Sequence, residues 1–300
     1  MSLEKIATLV SSFTALVLVS MKMVFGVLSW SIAVLSSAID SVLDMFVSIF
    51  NYFAVKNAEM PADEHFNYGR GKIEALAALL EGIIIFLSWG YILYSSVFKF
   101  ISKEEISYIG ISLIVMWISF IITLALVYFL EYVAKKTRNM VIESDALHYK
   151  TDLLSTWGIL LSLAVIYFTD LFFIDALVGF IIALYIMYSS VELIKKGFLM
   201  LLDIALEDEE VEKIINCIKQ EKMVNDYHYL KTRRSWKTKF VEAHLVFTPV
   251  IKLLDAHNAA DDIIKNIKLI DTDSQWVVNV HLDPYDDSKE HKNSCRVYFW

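Results

Sequence analysis

Six long apolar stretches joined by short polar connections constrain this chain more than any other feature. They fall at about 7–28, 32–54, 73–98, 107–132, 149–168 and 172–194. A bilayer core of about 30 Å takes roughly 20 apolar residues in a helix, so the spacing predicts six transmembrane helices. Short connections make them a compact antiparallel bundle, and an even number puts both chain ends on one side. The first stretch is too long for a signal peptide and shows no small-residue cleavage site. Basic residues set the orientation. With the N-terminus inside, the inner connections carry Lys5, Lys56, Arg70, Lys72, Lys135, Lys136, Arg138, Lys195 and Lys196, and the outer ones only Lys99 and Lys103. The N-terminus, the 55–72 loop and everything after the sixth span are therefore expected on the cytoplasmic side.

Charge separates the bundle from the last hundred residues. Residues 201–300 hold 14 Lys/Arg and 18 Asp/Glu, against 13 and 17 in the first 200. A single soluble globule is excluded, and a net charge of −8 argues against a nucleic-acid partner. With 19 Phe, 15 Tyr and three Pro, the chain is not intrinsically disordered. Cys217 and Cys295 form no CxxC pair and suggest no disulfide framework, which suits reducing cytosol. The polar third reads as a small α/β domain. Residues 207–222 have helical spacing with an acidic start, 251–268 return to a helical period, and 239–247 and 275–283 alternate as strands do. With a strand near 227–232 the order is α-β-β-α-β, helices on one face of a three-stranded sheet. The expected division is 1–202 for the membrane domain, 203–285 for the cytoplasmic domain and 286–300 for a tail.

Carboxylates inside a bilayer are costly, so each is a functional candidate. Asp40 and Asp44 stand i,i+4 in the second span, and His148 and Asp152 stand i,i+4 where the fifth span opens. Each pair shares a helix face. Three carboxylates and an imidazole can close a tetrahedron suited to Zn²⁺ and, less selectively, to Fe²⁺, Co²⁺ or Cd²⁺. Calcium or magnesium would prefer six or more oxygens. The bland alternative, acids at helix ends in the interfacial zone, is credible for His148 and Asp152 and weak for Asp40 and Asp44, which have two apolar turns on either side. Lys22 and Lys150 can snorkel or pair with a carboxylate. Glu81, one heptad after Glu74, faces the bundle interior as a proton carrier or as a satisfied polar contact.

Gly69-Arg70-Gly71-Lys72 lacks the spacer and the Ser or Thr of a phosphate loop. No HExxH and no serine nucleophile elbow occurs, so a membrane protease is disfavoured along with an ATP-driven pump. A membrane metalloenzyme would need an open coordination position and a nearby base, and no base is evident. Five of the seven histidines lie in the polar third: His228, His244, His257, His281 and His291. His244 lies opposite the apolar face of its strand, and His281 and Asp283 share a polar face of theirs. His228 can reach in from the neighbouring strand. His257 falls in the row Leu253, His257, Ala260, Ile264, Ile267, which reads as a core stripe. His291 sits in a charged tail.

These features together resemble the cation diffusion facilitator family, in its bacterial zinc/iron-efflux branch, over about residues 10–285. The matching motifs are the Asp40/Asp44 pair, the loop from Pro61 through Asp63, His65 and Lys72 to Glu74, and Asp145-Ala-Leu-His148-Tyr-Lys-Thr-Asp152. The resemblance implies a homodimeric, proton-coupled exporter of divalent transition metals in a bacterial inner (plasma) membrane, not an enzyme, with a metallochaperone-like cytoplasmic domain. It implies a transport site of Asp40, Asp44, His148 and Asp152. It also implies a binuclear cytoplasmic site of His228, His244, His257, His281 and Asp283, and a charge interlock of Lys72 with Asp203. The rival is a metal-sensing or channel-like membrane protein without coupled transport. Where the family's loop often has a histidine, this chain has Arg70. Asp63 and His65 remain for a weak third site, but an arginine has no lone pair to give and is expected to pair with Asp63 or Glu64 instead.

Overall fold

The computed structural model describes residues 2–29, 32–102, 111–169, 173–235 and 237–287. The chain divides into two compact units, Met1–Phe198 and Leu199–Trp300. The first holds six long helices: α1 (Leu3–Ser29), α2 (Ile32–Ala58), α3 (Lys72–Ser102), α4 (Ile111–Thr137), α5 (Met140–Thr169) and α6 (Phe173–Leu201). Among the described residues, four have windows long and apolar enough to cross a membrane, namely Leu3–Phe25, Lys72–Tyr91, Ile114–Thr137 and Leu177–Leu201. The two helices outside that set, α2 and α5, are the ones that carry the candidate ligands. Helix α1 packs against α2, α4 against α5, and α3 against both α2 and α5. Helix α6 lies close on α3 at Gly197, where a Cβ would stand 2.9 Å from the Ala75 carbonyl oxygen.

The start of α5 differs from the sequence expectation. The fifth span was expected to open at His148, yet the helix begins at Met140, two turns earlier. Arg138 is left-handed (φ 51°) and breaks the chain direction after α4. Asn139 Oδ1 then accepts the Ile142 N–H at 3.0 Å, and buried Glu74 on α3 accepts the Met140 N–H. These two acceptors satisfy helix-start donors that have no partner within the helix. His148 and Asp152 consequently stand well inside a helix rather than at its mouth.

The second unit runs α7 (Asp208–Gln220), β1 (Asp226–Ser235), β2 (Thr238–Val246), α8 (Leu253–Lys268) and β3 (Gln275–Asp283). The sheet order is β1-β2-β3, with β1 antiparallel and β3 parallel to β2. Val241, Ala243, Leu245 and Phe247 of β2 and Trp276 of β3 pack on Ile214 and Ile218 of α7 and on Ala256, Ala259, Ala260, Ile263 and Ile267 of α8. Cys217 packs against this core, and burial pushes its thiol up; Cys295 and His291 lie outside the described residues.

One buried ion pair ties three segments of this unit together. Lys239 of β2 is 1% exposed, and its Nζ donates to Glu210 of α7 at 2.5 Å and to Asp271 before β3 at 2.6 Å. That ammonium holds the Asp271 carboxyl well below the usual carboxylate range, helped by the Ser274 hydroxyl. A carboxyl depressed in the folded state adds stability above its unfolded value, near 4, and loses it as pH falls further. Lys239→Met in the isolated 199–300 fragment therefore costs about 3 kcal/mol, the lower end for breaking a buried pair, since both carboxylates keep some water. Thermal melts at pH 7 and pH 3 check this: the difference between wild type and variant shrinks at pH 3.

Candidate metal centres

Helices α2 and α5 bring Asp44, His148 and Asp152 together. One ligand atom from each lies within 4.8 Å of the other two, and all three are half-buried. His148 Nε2 is 3.0 Å from Asp44 Oδ1. Tyr149, 1% exposed, stands beside them; its hydroxyl is 2.7 Å from Ser48 Oγ and its ring meets His148 edge-on at 5.7 Å. This buried pair fixes the register of α5 on α2, so His148 and Asp152 of α5 face Asp44 of α2. Two carboxylates and an imidazole at this separation suit a zinc-like ion. Asp40 lies one turn before Asp44 on α2, and its side chain lies outside the described residues.

The second cluster is built across the sheet. His228, His244 and His281 occupy one register row, His228 opposite His244 and His244 opposite His281. Their rings stack at 5.0 and 4.8 Å. A β-bulge makes this possible. Tyr229 takes φ 56°, and Tyr229 and Leu230 together oppose Ala243, so the register shifts by one between His228 and Lys231. Without the extra residue His228 would share the face of Thr232, which pairs with core residue Val241. Asp283, 5% exposed, faces histidines with both oxygens: Oδ2 is 2.9 Å from His244 Nδ1 and 3.5 Å from His228 Nε2, and Oδ1 is 3.1 Å from His281 Nε2. A residue that the sequence reading left in the tail joins them. Asp287 Oδ1 stands 2.8 Å from His228 Nε2, and His228, His244, Asp283 and Asp287 offer ligand atoms within 4.8 Å of one another. Only its position just past β3 pointed to Asp287, and no spacing rule did.

His257 stands outside this cluster in its own chain. The core stripe of α8 is Ala256, Ala259, Ala260, Ile263 and Ile267; it shares Ala260 and Ile267 with the row expected from the sequence but leaves out Leu253, His257 and Ile264. His257 is exposed and faces Asp261 at 3.7 Å.

The 59–71 loop is organised around Arg70. Asp63 Oδ1 accepts the N–H groups of His65 (2.9 Å) and Phe66 (2.8 Å), and Asp63 Oδ2 pairs with Arg70 Nη2 at 2.5 Å. The guanidinium also lies 4.4 Å over the Phe66 ring and donates to Met60 sulfur at 3.0 Å. The Phe66 N–H, then that of His65 and the Arg70 charge, hold the Asp63 carboxyl below its usual value. Among the described residues, Asp63 and His65 belong to no group of three or more ligands close enough to share an ion, and the Arg70–Asp63 pair is the one expected from the sequence. Asp203 ends α6 in the left-handed position (φ 58°) that glycine usually holds, with the Ile204 N–H returning to the Leu199 carbonyl at 3.1 Å. Its carboxylate accepts from Arg233 at 3.3 Å.

Comparison with known proteins gives the class. Residues 8–202 match the cation efflux transmembrane domain, and residues 206–285 match the cation efflux protein cytoplasmic domain. The chain belongs to the cation efflux (cation diffusion facilitator) family, multi-pass membrane proteins that export divalent cations. Protein p34 of Rickettsia rickettsii is 32% identical over 284 residues, covering 94% of this chain and 93% of its own. The cation-efflux pump FieF of Yersinia enterocolitica is 33% identical over 257 residues, 84% of this chain and 85% of its own. That of Serratia proteamaculans is 30% identical over 295 residues, 98% of this chain and 94% of its own.

Because both Asp63 oxygens are already engaged, Asp63→Ala leaves the number of zinc ions bound per protomer unchanged in equilibrium dialysis of the full chain. Loss of one ion would mean that the loop is a metal site.

Proposed function

We propose that this protein is a proton-coupled antiporter that exports Zn²⁺ from the cytoplasm as a homodimer in a bacterial inner membrane, with Fe²⁺, Cd²⁺ and Co²⁺ as weaker substrates. The observation that carries the reading is the meeting of Asp44, His148 and Asp152 between two bundle helices. Asp40, one turn away, completes a four-ligand site. Metal needs the carboxylates ionised and an imidazole lone pair free, whereas protons bind those same atoms. A site that opens alternately to each face turns this competition into exchange. A histidine in place of a fourth oxygen favours zinc over harder ions such as Mn²⁺.

His228, His244, His281 and Asp283 form the cytoplasmic metal centre, and Asp287 adds a carboxylate. With one Asp283 oxygen toward His228 and His244 and the other toward His281, that carboxylate suits a bridge between two ions. His257, exposed on α8, contributes from the second copy. Neutralising acidic surface by bound cations would tighten the dimer, and Lys72 with Asp203 would form the charge interlock between the two domains.

Zinc flux into proteoliposomes of the full chain tests the proposal. Wild-type flux rises with an opposing proton gradient, and Asp44→Ala or Asp152→Ala each abolish it while the protein stays folded and dimeric. Near-normal zinc flux in either variant, or wild-type flux indifferent to the gradient, would overturn it.

A further inference from the structure

A second set of buried acids in the membrane unit is not used by the metal site. Glu81 of α3 is 2% exposed, and Asp145 of α5 and Asn51 of α2 are 0% exposed. Asn51 Nδ2 donates to both carboxylates, at 3.1 Å to Glu81 Oε2 and 3.2 Å to Asp145 Oδ1. Asn51 is seven residues beyond Asp44 on α2, roughly 10 Å along the axis. Asp145 is one turn before His148 on α5. The trio therefore sits one to two turns from the metal cluster, toward the Ala58 end of α2 and the Met140 end of α5.

We infer that Glu81 and Asp145, bridged by Asn51, form a proton-binding site separate from Asp44, His148 and Asp152. Two features of the hydrogen bonding carry this. Ser144 Oγ lies 2.5 Å from Glu81 Oε2 and 2.9 Å from the Val141 carbonyl. A hydroxyl has one proton. The hydroxyl can donate to only one of these two acceptors at a time, so it offers the pair of carboxylates at most one further donor beside the Asn51 amide. Moreover, Glu81 Oε1, Asp145 Oδ2 and Asn51 Oδ1 are buried oxygens with no hydrogen-bond partner. An excess of acceptors is what a site built for a cation looks like before the cation is counted. The smallest cation suffices, because two carboxylates in a dry site share one proton far more cheaply than both ionise.

The charged groups around the trio have partners of their own, and the His148 imidazole also lies within electrostatic reach of both acids. On α5, His148 faces Asp44, and the Tyr149 hydroxyl faces Ser48. On α3, Glu74 holds the Met140 N–H. Lys196 of α6 pairs with Glu143 and Glu192, Lys150 of α5 with Glu131 of α4, and Lys5 of α1 with Glu59. The pair and its proton titrate as a unit. On the antiport reading, this proton is held apart from those that compete directly with metal, so it can add to the exchange without occupying a ligand.

Infrared spectroscopy of the full chain in lipid at neutral pH reads the proton directly. The carbonyl stretch of a protonated carboxylic acid, downshifted in heavy water, is present in wild type and in Asp44→Asn. It is lost in Glu81→Gln or, should that variant not fold, in Asp145→Asn. No such band, or a band that survives both substitutions, overturns the inference, as does loss of one bound Zn²⁺ or Mn²⁺ per protomer in Glu81→Gln. In proteoliposomes, Glu81→Gln keeps zinc flux and loses part of its dependence on the proton gradient. If wild-type flux ignores the gradient, the antiport reading fails and the infrared result alone decides the proton site.

Discussion

Putting ionisable side chains inside a bilayer costs several kcal/mol each unless something offsets the charge, and the membrane unit is organised around that cost. The apolar spans of α1, α4 and α6 are accounted for by lipid and packing, whereas α3 also carries buried Glu74 and Glu81. Helices α2 and α5 need a further explanation. They carry Asp44, Asn51, Asp145, His148 and Asp152, and these residues face one another rather than lipid. The Tyr149–Ser48 contact locks the two helices at the register where this pairing works. A shift by one residue would turn a helix by about 100° and expose the acids. Ligand placement and helix packing are thus a single requirement.

The cytoplasmic unit meets the same requirement with a sheet. Three strands in register place three imidazoles in one row, and a single buried carboxylate at the end of β3 faces all of them. The opposite face is the hydrophobic core against α7 and α8, so the histidines occupy the side where polarity costs little. The bulge at Tyr229 is the local irregularity that makes β1 serve both faces. Buried Lys239 then joins α7 to the segment before β3, which steadies the strand that carries His281 and Asp283.

Much of this was legible in the sequence because hydrophobic periodicity is a local signal. The apolar spans, the α-β-β-α-β order and the polar faces of β2 and β3 come from spacing alone. What was not legible depends on contacts between distant segments. The early start of α5 needs Glu74, 66 residues away, to accept the Met140 N–H. The α8 stripe keeps Ala260 and Ile267 of the expected row, but small Ala256 and Ala259 turn its buried face so that Leu253 and His257 are exposed. Asp287 meets His228 only through the path the chain takes after β3. Arg70 was readable as a departure from the loop pattern, and its ion pair with Asp63 is a matter of elementary charge chemistry, but its stacking on Phe66 required the turn itself.

On the antiport reading, metal and proton contend for the same atoms of Asp44, His148 and Asp152. His148 Nε2 and Asp44 Oδ1 lie 3.0 Å apart, so a metal that binds both atoms takes the place of a proton they share. Isothermal titration calorimetry of zinc into the full chain, with the cytoplasmic cluster disabled by Asp283→Ala, measures that displacement in buffers of different ionisation enthalpy. The account predicts a binding heat that changes with the buffer, showing net proton release, and a loss of that binding in Asp44→Ala. Zinc binding to the membrane site with a heat independent of the buffer would contradict it.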